Sequence, residues 1–403
     1  MPPIPTPNLA SPGFKADPHP TYARLRAESP VHRTVLADRQ VAWLVTRYDD
    51  ALAVLKDEQF VKDRTRVARR DGPGRPQWAP GFVRPLATNM LDRDGVDHRR
   101  LRTLVQLAFT PRRIEALEAR VQALCDELLD AGATRGRMDL VAAYALPLPV
   151  TIIAELLGVP AADRGRFQAW SNNVVAVSSA GDLVRGLPSI WLFVRYLRRL
   201  IAGRRARPRD DLVTDLIRAE EAGDALCEDE LLAMVFLLLV AGYETTVNLI
   251  ASGTLALLEH PDQLARLRRE PELMGSAVEE LLRFTSPVDI ATERFAREDV
   301  AFGGARIPRG EMVLAVLGSA NRDAAQFPDP DTLDLAREPN RHLAFGQGAH
   351  YCLGAPLARL EGRIALGTLL RRLPGLALAA PPDALRWRRG LFLRGLAELP
   401  VVL

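Results

Sequence analysis

One cysteine lies between a glycine-containing loop and a helix-forming segment near the carboxyl end of the chain. Residues 342–362 are HLAFGQGAHYCLGAPLARLEG, in which Cys352 follows Gly346 and Gly348 and precedes Pro356. Glycine permits a positive φ in a tight loop, and proline is favoured in the first turn of a helix. Cys352 is therefore predicted at a helix N-terminus. The exposed N–H groups and the helix dipole favour negative charge there, and so favour the ionised thiolate.

Three roles are open for such a cysteine: an inert buried side chain, a nucleophile or a metal ligand. A nucleophile needs a general base, and His350, two residues away, points poorly for that role if the segment is extended. A single thiolate suits haem iron better than zinc or an iron–sulfur cluster, which take several ligands. The other cysteines, Cys125 and Cys227, form no close pair with each other or with Cys352.

The decapeptide FGQGAHYCLG, residues 345–354, resembles the haem-binding signature of the cytochrome P450 family in order and spacing. The matching residues are Phe345, Gly346, Gly348, His350, Cys352 and Gly354. The resemblance implies a haem b cofactor whose iron is bound by Cys352. It also implies that Phe345 shields the sulfur and that N–H groups following Cys352 donate to it, contacts of the kind that tune a metal. Cys125 and Cys227 would then be structural.

Haem carries two propionates, and arginine is the natural partner of a carboxylate. The sequence DHRRLR places His98 and Arg102 four residues apart, on one face of a helix. This pair is similar to the family's propionate-binding His-x-x-x-Arg. The resemblance implies two further propionate partners, Arg294 and His350.

Glu280 and Arg283 are three residues apart in AVEELLRFTSP, residues 277–287. An isolated surface pair of this kind contributes about 0–1 kcal/mol. The pair resembles the family's Glu-x-x-Arg motif. The resemblance implies a buried network, completed by Arg337, that holds the long aperiodic segment 318–345 in front of the Cys352 loop.

Polar residues interrupt the most apolar helical segment, LLLVAGYETTVNLI, residues 237–250. A long helix is predicted from about 228 to 260, and Thr245 is expected to bond back to the Ala241 carbonyl and bend it. The segment AGYET is similar to the family's oxygen-activating motif. The resemblance implies that Ala241 and Gly242 leave room over the iron, that Thr245 hydrogen-bonds activated dioxygen and that Glu244 relays protons.

Helical periodicity dominates the elements that must position these residues, and strand patterns are few. Helices are predicted over 48–56, 96–108, 112–131, 150–157, 190–205, 209–222, 228–260, 262–269, 272–284 and 355–372. Strands are predicted at 41–46, within 305–317 and at the ends of 391–403, whereas 62–90 and 170–190 are predicted as loop-like segments.

The resemblance implies the P450 fold, which is mainly α with a small β region. It is a single triangular-prism domain with haem between the long central helix and the Cys-loop helix. Residues 1–14 are expected to be irregular, and residues 15–403 to form the P450 domain.

Composition narrows the class of protein. The net charge is +3 over 403 residues, which argues against a nucleic-acid binder. The longest apolar run, 231–242, is too short to span a bilayer, so no membrane anchor is expected. Three scattered cysteines form no disulfide framework and favour a reducing cytoplasm. A monomer is expected.

The predicted function is a soluble bacterial-type P450 monooxygenase that inserts one oxygen atom from O2 into an apolar, bulky molecule such as a polyketide, terpenoid or modified peptide. No segment for a flavin or cluster is visible, so a ferredoxin with its reductase, or a flavodoxin, must deliver electrons. Six arginines are expected to form a basic docking face: Arg99, Arg100, Arg112, Arg113, Arg359 and Arg363. Substrate contacts are expected at 78–91, 170–180, Val240, Ala241, Ile290, Ala291, Leu391 and Phe392. Oxidative coupling, desaturation and a non-catalytic haem-thiolate binding protein remain alternatives.

Overall fold

The computed structural model describes residues 7–67, 81–82, 86, 89–132, 136–175, 180–221 and 227–403. Within them, helices α1 to α15 are, in chain order, Pro12–Ala16, His19–Glu28, Tyr48–Lys56, Gly95–Ala108, Pro111–Ala116, Glu118–Gly132, Pro147–Leu156, Arg164–Val175, Ala180–Ala206, Leu212–Glu221, Glu228–Glu259, Pro261–Arg269, Met274–Thr285, Leu317–Ala320 and Ala355–Arg372. Strands β1 to β10 are Val31–Val35, Val41–Val45, Phe60–Val61, Arg137–Asp139, Arg294–Ala296, Val300–Phe302, Ala305–Ile307, Met312–Ala315, Ala377–Leu378 and Pro400–Val402.

The chain divides into two compact units. The first contains Met1–Arg69, Glu118–Leu146 and Thr245–Leu403, and the second contains Arg70–Leu117 and Pro147–Glu244. All ten strands belong to the first unit, and the described part of the second unit is helical. The expected single domain of residues 15–403 stays a prediction.

A five-stranded sheet organises the first unit. Its strand order is β1-β2-β8-β5-β3, and β2 pairs with β8 in parallel while the other pairs are antiparallel. The central strand β8 is buried along its whole length, which matches its continuous apolar sequence MVLA. A three-stranded sheet, β4-β10-β9, and the hairpin β6-β7 complete the β structure.

Helix α15 carries the sequence after Cys352 and packs on α6 and α13 in the first unit. It begins after Gly354 with Pro356 in its first turn and ends with Arg371 and Arg372 in its last turn. Proline at the start and cations at the end both suit the geometry and dipole of a helix. The predicted bounds, 355–372, are confirmed.

Helix α11 has 32 residues and is therefore about 48 Å long. Cys227 directly precedes α11, and its N–H donates to Glu230 Oε2 at 3.0 Å, which is one half of a capping box. Among the described residues, α11 is the one helix long and apolar enough to span a membrane by length and composition. Of the 18-residue apolar stretch that meets this criterion, 61% is buried inside the protein, as in a core helix.

Residues 170–190 are mainly helical, so the loop-like prediction there was wrong. Helix α8 continues to Val175 and α9 begins at Ala180. Packing between the two helices explains the difference. Phe167 meets Phe193 with ring centroids 5.5 Å apart, and such contacts stabilise helices whose own periodicity is weak.

The N-terminal segment is also more regular than expected. Helix α1 begins at Pro12, where the Ser11 hydroxyl accepts a bond from the Phe14 N–H, so residues 12–14 are not irregular. Leu9 and Phe14 are buried in one apolar cluster. The sequence analysis also missed helix α2 and several short strands. Apolar residues follow the helical period only weakly in α2, and the strands are too short to show a clear alternation of apolar and polar residues.

Glu280 and Arg283 form the predicted buried network with Arg337. Arg283 donates to both Glu280 oxygens at 2.8 Å, and Arg337 Nε donates to Oε1 at 3.2 Å. The Asp334 N–H and the Asn340 amide also donate to this carboxylate, both at 3.0 Å. The aperiodic segment before the Cys352 loop is thereby held by side chains instead of by regular secondary structure.

Replacing Glu280 with glutamine should reduce the free energy of unfolding by about 3–5 kcal/mol, because Arg283 would remain charged and buried. Urea titration followed by circular dichroism measures this loss. As a control, Glu270→Gln removes an exposed partner of Arg266 and should change stability by less than about 1 kcal/mol. A Glu280 variant as stable as this control would contradict the prediction.

Candidate functional site

The Cys352 loop is closed by its own backbone. The Cys352 N–H donates to the Phe345 carbonyl at 2.9 Å, and the Gly346 N–H donates to the Leu343 carbonyl at 2.8 Å. The Cys352 side chain is exposed and lies two residues before the N-cap of α15, Gly354. A solvent-accessible thiol is thus held at a helix N-terminus, as predicted.

Two glycines of this loop have positive φ values, which residues with a side chain rarely adopt. They are +66° at Gly346 and +74° at Gly348. At Gly348 a Cβ atom would lie 2.8 Å from the Leu55 carbonyl oxygen, so a side chain would force the loop away from α3. At Gly354 a Cβ would lie 4.0 Å from Cys352 Sγ, which shows how closely the helix start approaches the sulfur.

Sequence reasoning missed the residues that hold Phe345. The Arg359 guanidinium lies 4.6 Å from the Phe345 ring centroid, a cation–π distance. Arg359 also donates to both oxygens of Glu279, at 2.7 and 2.8 Å, and His342 Nε2 lies 3.1 Å from Glu279 Oε2. The four side chains join α13, α15 and the Cys352 loop.

Burial raises the pKa of Glu279, but the hydrogen bonds from Arg359 and His342 outweigh this effect and lower the pKa to about 2. Glu279 is therefore ionised at neutral pH. The sequence offered one indication that Glu279 has a structural role, which is its position directly before Glu280 of the Glu-x-x-Arg motif.

The predicted propionate partners lie in different units. His98 and Arg102 are on α4 in the second unit, where His98 is buried and Arg102 is half-buried. Arg294 and His350 are in the first unit. Buried Arg294 donates to the carbonyls of Leu55 at 3.0 Å and Phe60 at 3.1 Å. These two bonds do not exhaust the five donors of a guanidinium.

One stretch of α11, residues 240–245, is partly accessible to solvent although most of the helix is buried. Ala241 is exposed, and Val240, Gly242 and Thr245 are half-buried, whereas Glu244 is buried. Ala241 and Thr245 are four residues apart and so share one face of the helix. The residues matching the oxygen-activating motif therefore coincide with the accessible part of the central helix. The predicted bond from Thr245 to the Ala241 carbonyl stays a prediction.

A second residue that sequence reasoning missed is Glu361 on α15, whose carboxyl group is fully buried. Neither of its oxygens has a hydrogen-bond partner of normal geometry within the described residues. Burial raises the pKa of Glu361 to about 8, and the nearby Thr246 hydroxyl opposes this rise only in part. The carboxyl group is therefore neutral at pH 7.

Ile290 was predicted wrongly as a substrate contact. Its side chain has 0% exposure and packs in an apolar core cluster that also contains Tyr22 and Leu314. Ala291 is half-buried, as are Leu391 and Phe392. The predicted segment 78–91 lies largely outside the described residues, and 170–180 does so in part.

Four arginines of the predicted basic face have acidic partners within the chain. Arg100 pairs with Glu230, Arg113 with Asp210 and Asp215, Arg359 with Glu279 and Arg363 with Glu118. Such pairing offsets most of their positive charge. Arg99 and Arg112 are exposed, and neither has an ion-pair partner among the residues that the structure describes.

The donor set fits haem iron. A single accessible thiol stands at a helix N-terminus, in a loop whose glycines leave it uncovered. No cluster of three or more His, Cys, Asp or Glu side chains in the described part of the chain could hold a metal ion. Together with the open stretch of α11, these features define a haem-thiolate protein.

Comparison with known proteins supports the assignment to the haem-thiolate class. The family model named Cytochrome P450 matches residues 194–374. The chain is 48% identical to Cytochrome P450 107B1 of Saccharopolyspora erythraea over 96% of this chain and 95% of the relative. It is 43% identical to 6-deoxyerythronolide B hydroxylase of the same organism, over 98% of both chains.

Among solved structures, the Bacillus subtilis bacillaene polyketide synthase cytochrome P450 PksS superposes with a TM-score of 0.92. It shares 44% sequence identity and covers 99% of this chain and 100% of its own. The chain belongs to the cytochrome P450 family. It has the cytochrome P450 fold, its cofactor is haem b, and its activity is that of a cytochrome P450 monooxygenase.

Replacing Cys352 with alanine should abolish the long-wavelength band that thiolate coordination produces in the reduced, carbon monoxide-bound protein. The only accessible sulfur of the loop would be lost. Cys227→Ser, at the other exposed cysteine, should leave the band in place. An unchanged spectrum in the Cys352 variant would contradict the assignment.

Glu361 should make the protein less stable as pH rises from about 4.5 towards 8. The unfolded chain releases this proton near pH 4.5 whereas the folded chain keeps it until about pH 8, which gives a slope of about −1.4 kcal/mol per pH unit. Glu361→Gln should remove that slope and be more stable than the parent at pH 8, as measured by urea titrations between pH 5 and 8. Equal slopes for variant and parent would refute the assignment.

Proposed function

We propose that this monooxygenase inserts one oxygen atom from dioxygen into an apolar C–H bond of a bulky secondary metabolite. The observation that carries the proposal is the AGYET stretch of α11, where Ala241 is accessible and Glu244 is buried. The substrate class is supported by the relatives, of which one is named as a 6-deoxyerythronolide B hydroxylase and another belongs to a polyketide synthase.

Haem would be held by Cys352 through its iron and by His98, Arg102, Arg294 and His350 through its propionates. When bound, haem supplies the redox chemistry that activates dioxygen, and a thiolate ligand favours O–O cleavage. In this proposal Phe345, which the Arg359 guanidinium contacts, would shield the sulfur once haem is bound.

Thr245 and Glu244 would hydrogen-bond dioxygen and transfer protons to it. In this proposal the Thr245 hydroxyl on the open face of α11 donates a hydrogen bond where dioxygen is activated, and Gly242 leaves space beside it. The neighbouring carboxyl group of Glu244 takes up protons that replace those consumed there. General acid catalysis of this kind contributes about 10²- to 10⁴-fold.

Apolar side chains would contact the substrate. The candidates are Val240 and Ala241 on α11, Ala291 after α13, and Leu391 and Phe392 near the carboxyl end. Each is accessible to some degree, and apolar walls with few polar groups are typical of small-molecule sites. Such walls suit a polyketide, a terpenoid or a modified peptide.

Electrons would come from an acidic ferredoxin, or a flavodoxin, with its reductase. In the second unit the proposed docking residues are Arg99 on α4 and Arg112 on α5, because both are exposed and an arginine that forms no ion pair with the described residues can attract an acidic partner. A cytoplasmic location and a monomeric state complete the proposal.

Screening metabolites by the shift of the Soret band, followed by mass spectrometry of the product, tests the function. Hydroxylation predicts a gain of one oxygen atom. A product that has only lost two hydrogens would instead identify coupling or desaturation, and a bound but unchanged ligand would identify a binding protein.

The same assay tests Thr245. Thr245→Ala should lower product formation about 10- to 100-fold and divert electrons to hydrogen peroxide, with the carbon monoxide spectrum unchanged. Thr254→Ala is the matched control on α11, because the Thr254 hydroxyl only bonds back to the Ile250 carbonyl at 2.7 Å. Equal turnover by both variants would remove Thr245 from the mechanism.

Charge reversal at Arg112 should reduce ferredoxin-driven turnover about tenfold at low salt and less at high salt, because exposed charges act mainly on association. Arg166→Glu, at an exposed arginine of α8, is the control and should have little effect. Turnover by Arg112→Glu equal to that of the control would refute this docking site.

A further inference from the structure

Lysine is rare in this chain, and two of its three lysines are buried in the first unit. The sequence contains Lys15, Lys56 and Lys62. Lys15 has 0% and Lys62 has 7% exposure. Burying an ammonium group is costly unless it is paired and hydrogen-bonded, so these two positions need a specific reason. Both contact the four-residue segment 289–292, one at each end.

Lys15 on α1 binds the first end of this segment. Its Nζ donates to Asp289 Oδ2 at 2.6 Å, with side-chain exposures of 0% and 1%. The Tyr22 hydroxyl donates to the same oxygen at 2.8 Å. Burial, and next the charge of Asp289, raise the pKa of Tyr22, so the hydroxyl keeps the proton that it donates.

The same ammonium group reaches the second candidate substrate segment. Lys15 Nζ donates to the Leu391 carbonyl at 2.9 Å. The N–H groups of Asp289 and Ile290 both donate to the Phe392 carbonyl, at 2.8 and 3.1 Å. One buried charge pair therefore joins α1, segment 289–292 and residues 391–392.

Lys62 binds the other end of the segment. Its Nζ donates to the Thr292 carbonyl at 3.1 Å and to the Thr292 hydroxyl. Between the two lysine contacts, the Ala291 N–H donates to the Ala315 carbonyl of β8 at 2.9 Å. The backbone on both sides of Ala291 is thus held by directional bonds to elements far away in the sequence.

Directional bonds matter here because residues 289–292 lie outside every helix and strand and turn through a bend at Ile290. At Gly318 a Cβ would lie 2.3 Å from Asp289 Oδ1, so the second carboxylate oxygen packs closely against the Gly318 backbone. A buried ion pair is weak evidence for stability, and specifying one arrangement is its better-supported use.

We propose that Lys15, through Asp289, and Lys62, through Thr292, position Ala291, Leu391 and Phe392 and thereby set the size and shape of the substrate site. The four are positioning residues, which act through the side chains that they hold. This inference rests on the proposed function, because it takes Ala291, Leu391 and Phe392 as substrate contacts.

Two azole inhibitors of different size test the proposal. Imidazole binds the iron without reaching distant walls, whereas clotrimazole fills a P450 substrate site. The double variant Lys15→Met/Asp289→Leu removes both buried charges together, which avoids an unpaired ion. It should bind clotrimazole about fivefold more weakly and imidazole as tightly as the parent, because only wall contacts are lost. Lys62→Met should act in the same direction, and it tests the proposal by itself if the double variant does not fold.

Amide hydrogen exchange gives a readout that does not depend on haem. Exchange at residues 289–292 and 391–393 should accelerate in both variants. Lys56→Met is the matched control, since Lys56 is exposed, and it should change neither azole binding nor exchange. Unchanged clotrimazole affinity, unchanged exchange or an equal weakening of both azoles would each overturn the proposal. Failure of the proposed function shows separately, as a parent protein that lacks the carbon monoxide band or oxidises no ligand.

Discussion

The buried Glu280 carboxylate accepts five hydrogen bonds. The donors are two nitrogens of Arg283, Nε of Arg337, the Asp334 N–H and the Asn340 amide. Arg283 extends the network to the carbonyls of Asn321, Pro330 and Thr332. A long aperiodic segment satisfies its backbone groups in this way, since buried carbonyls need partners whether or not they lie in a helix or strand.

The position of Cys352 depends on this network. The ordered segment leads directly into the loop, where backbone bonds and positive φ values at Gly346 and Gly348 bring the thiol to the start of α15. Glu279, next to Glu280 on α13, binds Arg359, and Arg359 stacks on Phe345. Two adjacent glutamates of one helix therefore support both the segment before the loop and the aromatic ring beside the sulfur.

Several arginines of this protein bind carboxylates and carbonyl groups of the chain itself. The planar fork of arginine pairs with carboxylates and also donates to several carbonyls at once, as Arg283 and Arg337 do. Four of the six arginines expected to form a basic face, Arg100, Arg113, Arg359 and Arg363, are likewise paired within the chain. Lysine, a compact point charge, is used where one donor must reach one buried segment, as at Lys15 and Lys62.

The sequence by itself identified the family and the central helix, and it singled out Cys352 as the proposed haem ligand. Cys352, Glu280 with Arg283, and the AGYET stretch are local patterns, and the bounds of α15 follow from residues inside the helix or beside it. Tertiary structure alone decided which arginines are paired, that Ile290 faces the core, that 170–190 is largely helical and that the Glu361 carboxyl group is fully buried. Each of these depends on residues far apart in the chain, because burial and ion pairing are set by the neighbours that folding supplies and not by local spacing.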